Sequence, residues 1–298
     1  MKLSNFRAYD NMALIAKELV SGFITGLHKS PYHGFSVEFA EHRIYNPGES
    51  TRHIDWKVYA KTDRLYSKVY EAETNLRAYL LLDASSSMYY PKRSEKLEFS
   101  VYGAAALAYM LVRQRDAVGL FSFDEVIRDS LVAKSTLVHL DVLFEHLEAL
   151  RLSPKNPLGT NISRALHNIA TRIPKRSLVI LFSDLLQEDT KTEQLIKAFQ
   201  HLRYEKHEVL VFCVSDVKTE EQLAFADRPH IFYHLEGKEK IKLNPAEIRQ
   251  VYQKHMQKKR QLIFDKCGTM GVHVTPIDVD DDFDKLLTSA LRRRTKMM

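Results

Sequence analysis

The chain has 298 residues, 45% of them hydrophobic, which is enough to fill one large core or two modest ones. Its 44 basic and 38 acidic residues leave a net charge of +6, but the two signs are interspersed, and the densest basic cluster, "LRRRTK" near the carboxyl terminus, reads as a solvated helix end. The absence of any apolar run of about eighteen residues excludes a spanning helix, and two distant cysteines, Cys213 and Cys267, read as buried free thiols rather than a disulfide or a zinc site.

The chain opens with "MKLSNFRAYDNMALIAKELVSGF", where Asp10, Lys17 and Glu18 interrupt the apolar residues. This is the pattern of an amphipathic helix and not of a leader, so the expected location is the cytoplasm. Then comes "GFSVEFAEHRIYNPGESTRHIDWKVYAKTDRLYSKVYEAET", with turn chemistry at Asn46, Pro47 and Gly48 and alternating strand-like runs around it. Residues 1–74 are therefore expected to form a helix plus a small β-rich extension, docked on a main domain of residues 75–298. Trp56 is expected to lie buried between the two parts, with Arg52 and Asp55 close enough to pair. The functional alternative for these three residues is partner binding.

From about residue 75 onward, short apolar runs alternate with segments of helical period. "AYLLLD", "VGLFSFD", "SLVILFSD", "EVLVFCVSD" and "GVHVTPIDV" are separated by "SEKLEFSVYGAAALAYMLVRQ", "TLVHLDVLFEHLEAL", "NISRALHNIATRI", "KTEQLIKAFQHLRYE" and "PAEIRQVYQKHMQKKRQLIFDKC". Near-continuous apolar strands between amphipathic helices specify an α/β, doubly wound, mostly parallel and Rossmann-like sheet covered on both faces. Ser94 is the expected N-cap of the first of these helices, and "GAAALA" is the face that lies close to the sheet. "EVIRDSLVAK", short and alternating, is expected as an antiparallel edge strand.

Ligands of such sheets bind outside the carboxyl ends of the strands, where the strand order reverses. Asp83, Asp124, Asp184 and Asp216 each close an apolar strand run. Asp124 and Asp216 read as caps of the elements that follow. The run "DASSSM" is different, because Asp83, Ser85 and Ser87 alternate and can turn three oxygens to one side of an extended loop. One carboxylate and two hydroxyls suit a hard cation such as Mg²⁺, with Mn²⁺ or Ca²⁺ as substitutes. Thr160, freed by Gly159 to approach closely, and Asp184 offer two further oxygens.

Asp83, Ser85 and Ser87, then Gly159-Thr160, then Asp184 resemble the metal-ion-dependent adhesion site of the von Willebrand factor A fold, and the match covers all five positions. The resemblance implies that the strands ending in Asp83 and Asp184 are neighbours at the switch point. It also implies that Ser85, Ser87 and Thr160 reach the cation through hydroxyls while Asp83 and Asp184 hold its waters, leaving the ion free to take a Glu or Asp from a partner. The stretch "RIYNPGESTRHIDWKVYAKTDRLYSKVYEAE" and the tail from "RPHIFYHLEG" to "LRRR" are similar to the bacterial domain-of-unknown-function family numbered 58. Glu49 and Lys61 stand where that family commonly has Asp and Arg, and a lysine cannot make the bidentate fork of an arginine. The resemblance implies a non-enzymatic adaptor that works with a MoxR-type AAA ATPase in assembling or activating protein complexes.

Two other classes compete with that reading. A Mg²⁺-dependent phosphohydrolase would use Asp83 as nucleophile, but such sites carry a second acid two residues on, where this chain has Ser85, and a poised lysine for which the sequence offers no clear candidate. A nucleic-acid-binding role would draw on the basic balance, yet no recognition helix or zinc signature accompanies it. No phosphate-binding G-x-x-x-x-G-K and no G-x-G-x-x-G after a strand occurs. His139 and His146, two turns apart on one helix, read as packing or surface histidines.

Overall fold

The computed structural model describes residues 1–6, 9, 11–28, 42–44, 56–68, 76–91, 95–153, 161–187, 189–233 and 239–294. Helix α1 (Met12–His28) leads to β1 (His42–Ile44), α2 (Trp56–Thr62) and β2 (Tyr66–Lys68). The alternating region follows as β3 (Arg77–Asp83), α3 (Glu95–Arg113), β4 (Ala117–Phe123), β5 (Ile127–Lys134), α4 (Leu137–Leu152), α5 (Ile162–Arg172), β6 (Leu178–Ser183), α6 (Thr192–Tyr204) and β7 (Glu208–Ser215). The chain closes with β8 (His230–Tyr233), β9 (Lys240–Leu243), α7 (Pro245–Thr269), β10 (His273–Asp278) and α8 (Phe283–Arg294).

Two compact units emerge, one of Met1–Ile24 with Leu76–Met298 and the other of Thr25–Asn75. The opening helix, expected in the extension, belongs through Ile24 to the larger unit. Its apolar stripe is the reason. Ile15, Leu19 and Phe23 recur every four residues and are buried, and Phe6 meets the ring of Phe283 edge-on at 6.2 Å. The Phe283 N–H donates to the Met1 carbonyl at 3.0 Å, and the terminal ammonium pairs with Asp282 at 2.8 Å.

In the smaller unit β1 and β2 pair antiparallel, but "WKVYAKT" forms the helix α2 where strand-like alternation was expected. So short a run fits either period, and the ring of Trp56 meets that of Tyr59 one helical turn on, at 6.2 Å and 90°. Trp56 is 61% exposed. Arg52, Asp55, the Asn46-Pro47-Gly48 turn and Ser94 lie outside the described residues.

The larger unit is built on a six-stranded sheet of order β10-β7-β6-β3-β4-β5, parallel except for β5, which lies antiparallel on the edge as expected. On one face, Tyr79 and Leu81 of β3 and Val179 and Leu181 of β6 pack with Leu166 and Ile169 of α5, Phe199 of α6 and Ile263 of α7. Helices α3, α4 and α8 cover the other face. Gly103 of α3 lets that helix approach closely, since a Cβ there would stand 2.7 Å from Leu286 and 3.3 Å from Phe182. Phe99 stacks on Phe283 at 4.2 Å in the same layer. A separate two-stranded ribbon, β8 with β9, was not read from the sequence, although "HIFY" and "KIKL" carry the alternation that signals it.

From β3 the chain proceeds outward through β4 to β5, then returns through α4 and α5 to place β6 on the opposite side of β3. The strand order therefore reverses between β3 and β6, the two strands that end in Asp83 and lead into Asp184.

Packing beside β3 is tight at Gly119 of β4, directly opposite Tyr79. A Cβ there would meet the Tyr79 ring at 2.6 Å and the Leu131 carbonyl oxygen at 2.7 Å, and the backbone cannot give way. Gly119→Ala is expected to lower stability by about 1–3 kcal/mol, read as a reduced urea midpoint with unchanged slope; an unchanged midpoint would show that the strands can part at no cost.

Candidate functional site

Strands β3 and β6 are both buried to their ends, so their terminal carboxylates sit above a dry core and not in solvent. Asp83 and Asp184 are each at most 2% exposed. Beyond Asp83 the chain turns into a short 3-10 segment, Ser86–Tyr89, and this bend is organised by the aspartate itself: the Ser85 N–H donates to Asp83 Oδ1 at 2.9 Å. The second oxygen, Oδ2, accepts from the Ser183 hydroxyl at 2.6 Å across the strand pair. The hydroxyls of Ser85 and Ser87 lie 3.1 Å apart, both on buried residues.

Asp184 makes the equivalent local turn, its Oδ1 accepting from the Leu186 N–H at 2.9 Å. Its Oδ2 accepts from the Lys96 ammonium at 2.7 Å. Lys96, in the first turn of α3, also donates to Glu220 Oε1, while Glu220 Oε2 accepts from the Asp216 N–H at 3.0 Å. Glu220 belongs to a π-helical turn, Val217–Glu221, that starts where β7 ends, and Asp216 caps that turn by accepting from the Thr219 N–H at 3.3 Å. Asp124, in contrast, organises the turn into β5, taking the Val126 N–H and the Arg128 side chain.

The structure thus gathers Asp83, Ser85, Ser87 and Asp184 at the switch point. Thr160 lies outside the described residues. Sequence reading missed Lys96 and Glu220, since a lysine and a glutamate in amphipathic segments ordinarily face water. His139 is buried with Nε2 2.9 Å from the Val118 carbonyl, and His146 lies 3.6 Å from Asp129, so both histidines serve packing and surface contacts. Cys213 and Cys267 are buried free thiols, each pushed up to about 12 by burial.

Charge is what sets this cluster apart. Burial, and then the charge of Asp184 beside it, push the Asp83 carboxyl up to about 7, against the hydrogen bonds from Ser183 and Ser85. Burial also raises Glu220, although Lys96 opposes it. Burial works against the ammonium of Lys96, but Asp184 and Glu220 outweigh it and hold Lys96 above the ordinary lysine range. Among the described residues one ammonium, paired with Asp184 and Glu220, stands against the three carboxylates, which leaves an excess of two negative charges when all are ionised. The described side chains of the cluster that could ligate an ion, carboxylates and hydroxyls, offer oxygen, and the two serine hydroxyls lie 3.1 Å apart, close enough to approach one ion. Among the described residues no three His, Cys, Asp or Glu side chains converge as a metal cage, so a cation here would depend on hydroxyl oxygens as well. Donor type and charge excess both fit a hard divalent ion.

A raised folded-state value for an acid means that the folded chain binds this proton more tightly than the unfolded chain does. Stability from Asp83 is then greatest at the acid end of the window from its ordinary 3.8 to about 7, and it is lost as pH rises through that window. In cation-free buffer the thermal midpoint of the wild type, measured relative to Asp83→Asn, is expected to fall between about pH 5 and pH 7.5. Parallel pH profiles for the two proteins would show that this carboxyl does not titrate there.

The family model described as Protein of unknown function DUF58 matches residues 41–262, well over half of the chain and including both β3 and β6. Uncharacterised proteins of Mycobacterium bovis and Mycobacterium tuberculosis are each 26% identical over 182 residues, 60% of this chain and 56% of theirs, so the chain spans little more than half the length of these curated relatives. Among solved structures, the conserved hypothetical protein BatB from Bacteroides thetaiotaomicron is similar at a TM-score of 0.47 and 15% identity, over 74% of this chain and 99% of that one. The SpRpn10 VWA domain is similar at 0.39 and 10% identity, over 72% and 95%. With the family model running from the residues before Trp56 to within α7, the chain belongs to the DUF58 family.

Proposed function

We propose that this protein is a non-enzymatic, metal-dependent protein-binding adaptor. Mg²⁺, or Mn²⁺ or Ca²⁺ in its place, would be held by Asp83, Ser85, Ser87, Thr160 and Asp184, and would accept an acidic side chain of a partner as a further ligand. The partner we infer is a MoxR-type AAA ATPase, working with this chain in the cytoplasm to assemble or activate protein complexes. The observation that carries the reading is the excess of negative charge among the described residues at the switch point, where the groups able to ligate an ion are hard oxygens and where burial and the neighbouring charge of Asp184 push the Asp83 carboxyl up to about 7. A cation sharing mostly hydroxyls keeps a high effective charge and remains open to an external carboxylate. Among the described residues no helix is long and apolar enough to cross a membrane.

One observation favours the phosphohydrolase alternative: Lys96 is a buried lysine beside Asp184, a group for which the sequence offered no candidate. Against it, Lys96 pairs with Asp184 and Glu220 and not with Asp83. The Asp83 carboxyl is also fully buried, with both oxygens engaged, a poor posture for a nucleophile. Phosphatase turnover that disappears in Asp83→Asn would establish the enzyme reading in place of the adaptor.

The direct test is capture of a purified MoxR-type AAA ATPase by immobilised wild type and Asp83→Ala, each in Mg²⁺ and in chelator. Retention is expected only for wild type in Mg²⁺, with Asp83→Ala giving at least about tenfold weaker binding while keeping the wild-type circular dichroism spectrum. Equal retention under all four conditions would refute metal-dependent docking.

A further inference from the structure

Lys96 is entirely buried, a rare position for a lysine, and both of its partners are carboxylates of the candidate site or its wall. It donates to Asp184 Oδ2 at 2.7 Å and to Glu220 Oε1, while among the described residues Asp83 accepts from neutral donors, the Ser85 N–H and the Ser183 hydroxyl. Among the described residues the one buried ammonium is thus committed to the Asp184 side of the cluster. Asp184 is also one of the two carboxylates from which a divalent cation would draw charge.

We propose that Lys96 is the resident counter-cation of this site and competes with an incoming divalent ion for Asp184, so that it sets how tightly the ion is held. The inference rests on the cation-binding reading above. A cation drawing on Asp184 meets a fixed like charge beside it and weakens the ammonium's hold on Oδ2. Lys96 does not become an unpaired buried charge when this happens, because Glu220 remains as its partner. Glu220 is held in place independently, its Oε2 by the Asp216 N–H and its backbone carbonyl by the Tyr252 hydroxyl at 2.7 Å. The second carboxylate therefore provides a seat for the ammonium when the first is shared.

Lys96→Met alone strands two buried carboxylates and is expected to weaken the fold. The informative protein is Lys96→Met/Glu220→Gln, which removes one positive and one negative charge and so leaves the net charge of the cluster unchanged. A change in ion affinity then reports the loss of the competing ammonium and not a change in total charge. Mg²⁺ and Ca²⁺ are titrated into wild type and double variant by calorimetry, and the thermal midpoint is followed over the same ion concentrations. The double variant is expected to bind at least about tenfold more tightly and to show the larger ion-induced rise in midpoint, both abolished by adding Asp83→Asn. Equal or weaker binding by the double variant would overturn the role of Lys96 and leave the cation-binding reading intact. Binding by the double variant alone would uphold Lys96 as the competitor while refuting metal use by the wild type, and no binding by either would refute both.

Discussion

The pairing of β3 with β6 is the constraint on which the rest of this molecule depends. These strands lie side by side in the middle of a sheet covered on both faces, and each delivers a carboxylate at its end, so two acids are brought together where water cannot screen them. Everything nearby answers that charge. Backbone N–H groups of Ser85 and Leu186 are turned back onto the aspartates, the Ser183 hydroxyl bridges the strands, and Lys96 reaches in from α3. The remaining excess of negative charge is the property from which both the cation reading and the role of Lys96 follow.

The walls of the site are fastened to α7. Its Tyr252, Gln253 and Arg249 take the carbonyls of Glu220, Gln222, Leu223 and Phe225, and Arg260 pairs with Glu221, which in turn accepts from the Ser215 hydroxyl. On the Asp184 side, Lys259 of the same helix reaches the Gln187 carbonyl and pairs with Asp189 at 2.7 Å. Two strand-end segments that are 30 or more residues apart in the chain are thereby held by one helix through side-chain bonds, while the strands beneath them are held by apolar packing. This division suits a site whose base is rigid and whose rim is polar.

The sequence makes visible whatever depends on local period and on the identity of residues at strand ends. Five apolar runs and the helices between them specify the α/β alternation, and "DASSSM" marks the bend after β3 because an aspartate with following serines organises such a turn by itself. Cys213 and Cys267 were legible as buried thiols. The short run "WKVYAKT" was not legible, since seven residues fit a strand or a helix equally well.

By itself, then, the amino-acid sequence determined the layered sheet, its edge strand and the carboxylates and hydroxyls that end its central strands, because these follow from periodicity and from turn chemistry within a few residues. Only the tertiary structure decided that α1 belongs through Ile24 to the larger unit and that Lys96 is the ammonium beside Asp184. The physical reason is distance along the chain: Lys96 meets Asp184 88 residues on and Glu220 124 residues on, and no local pattern distinguishes a lysine with such partners from one facing water.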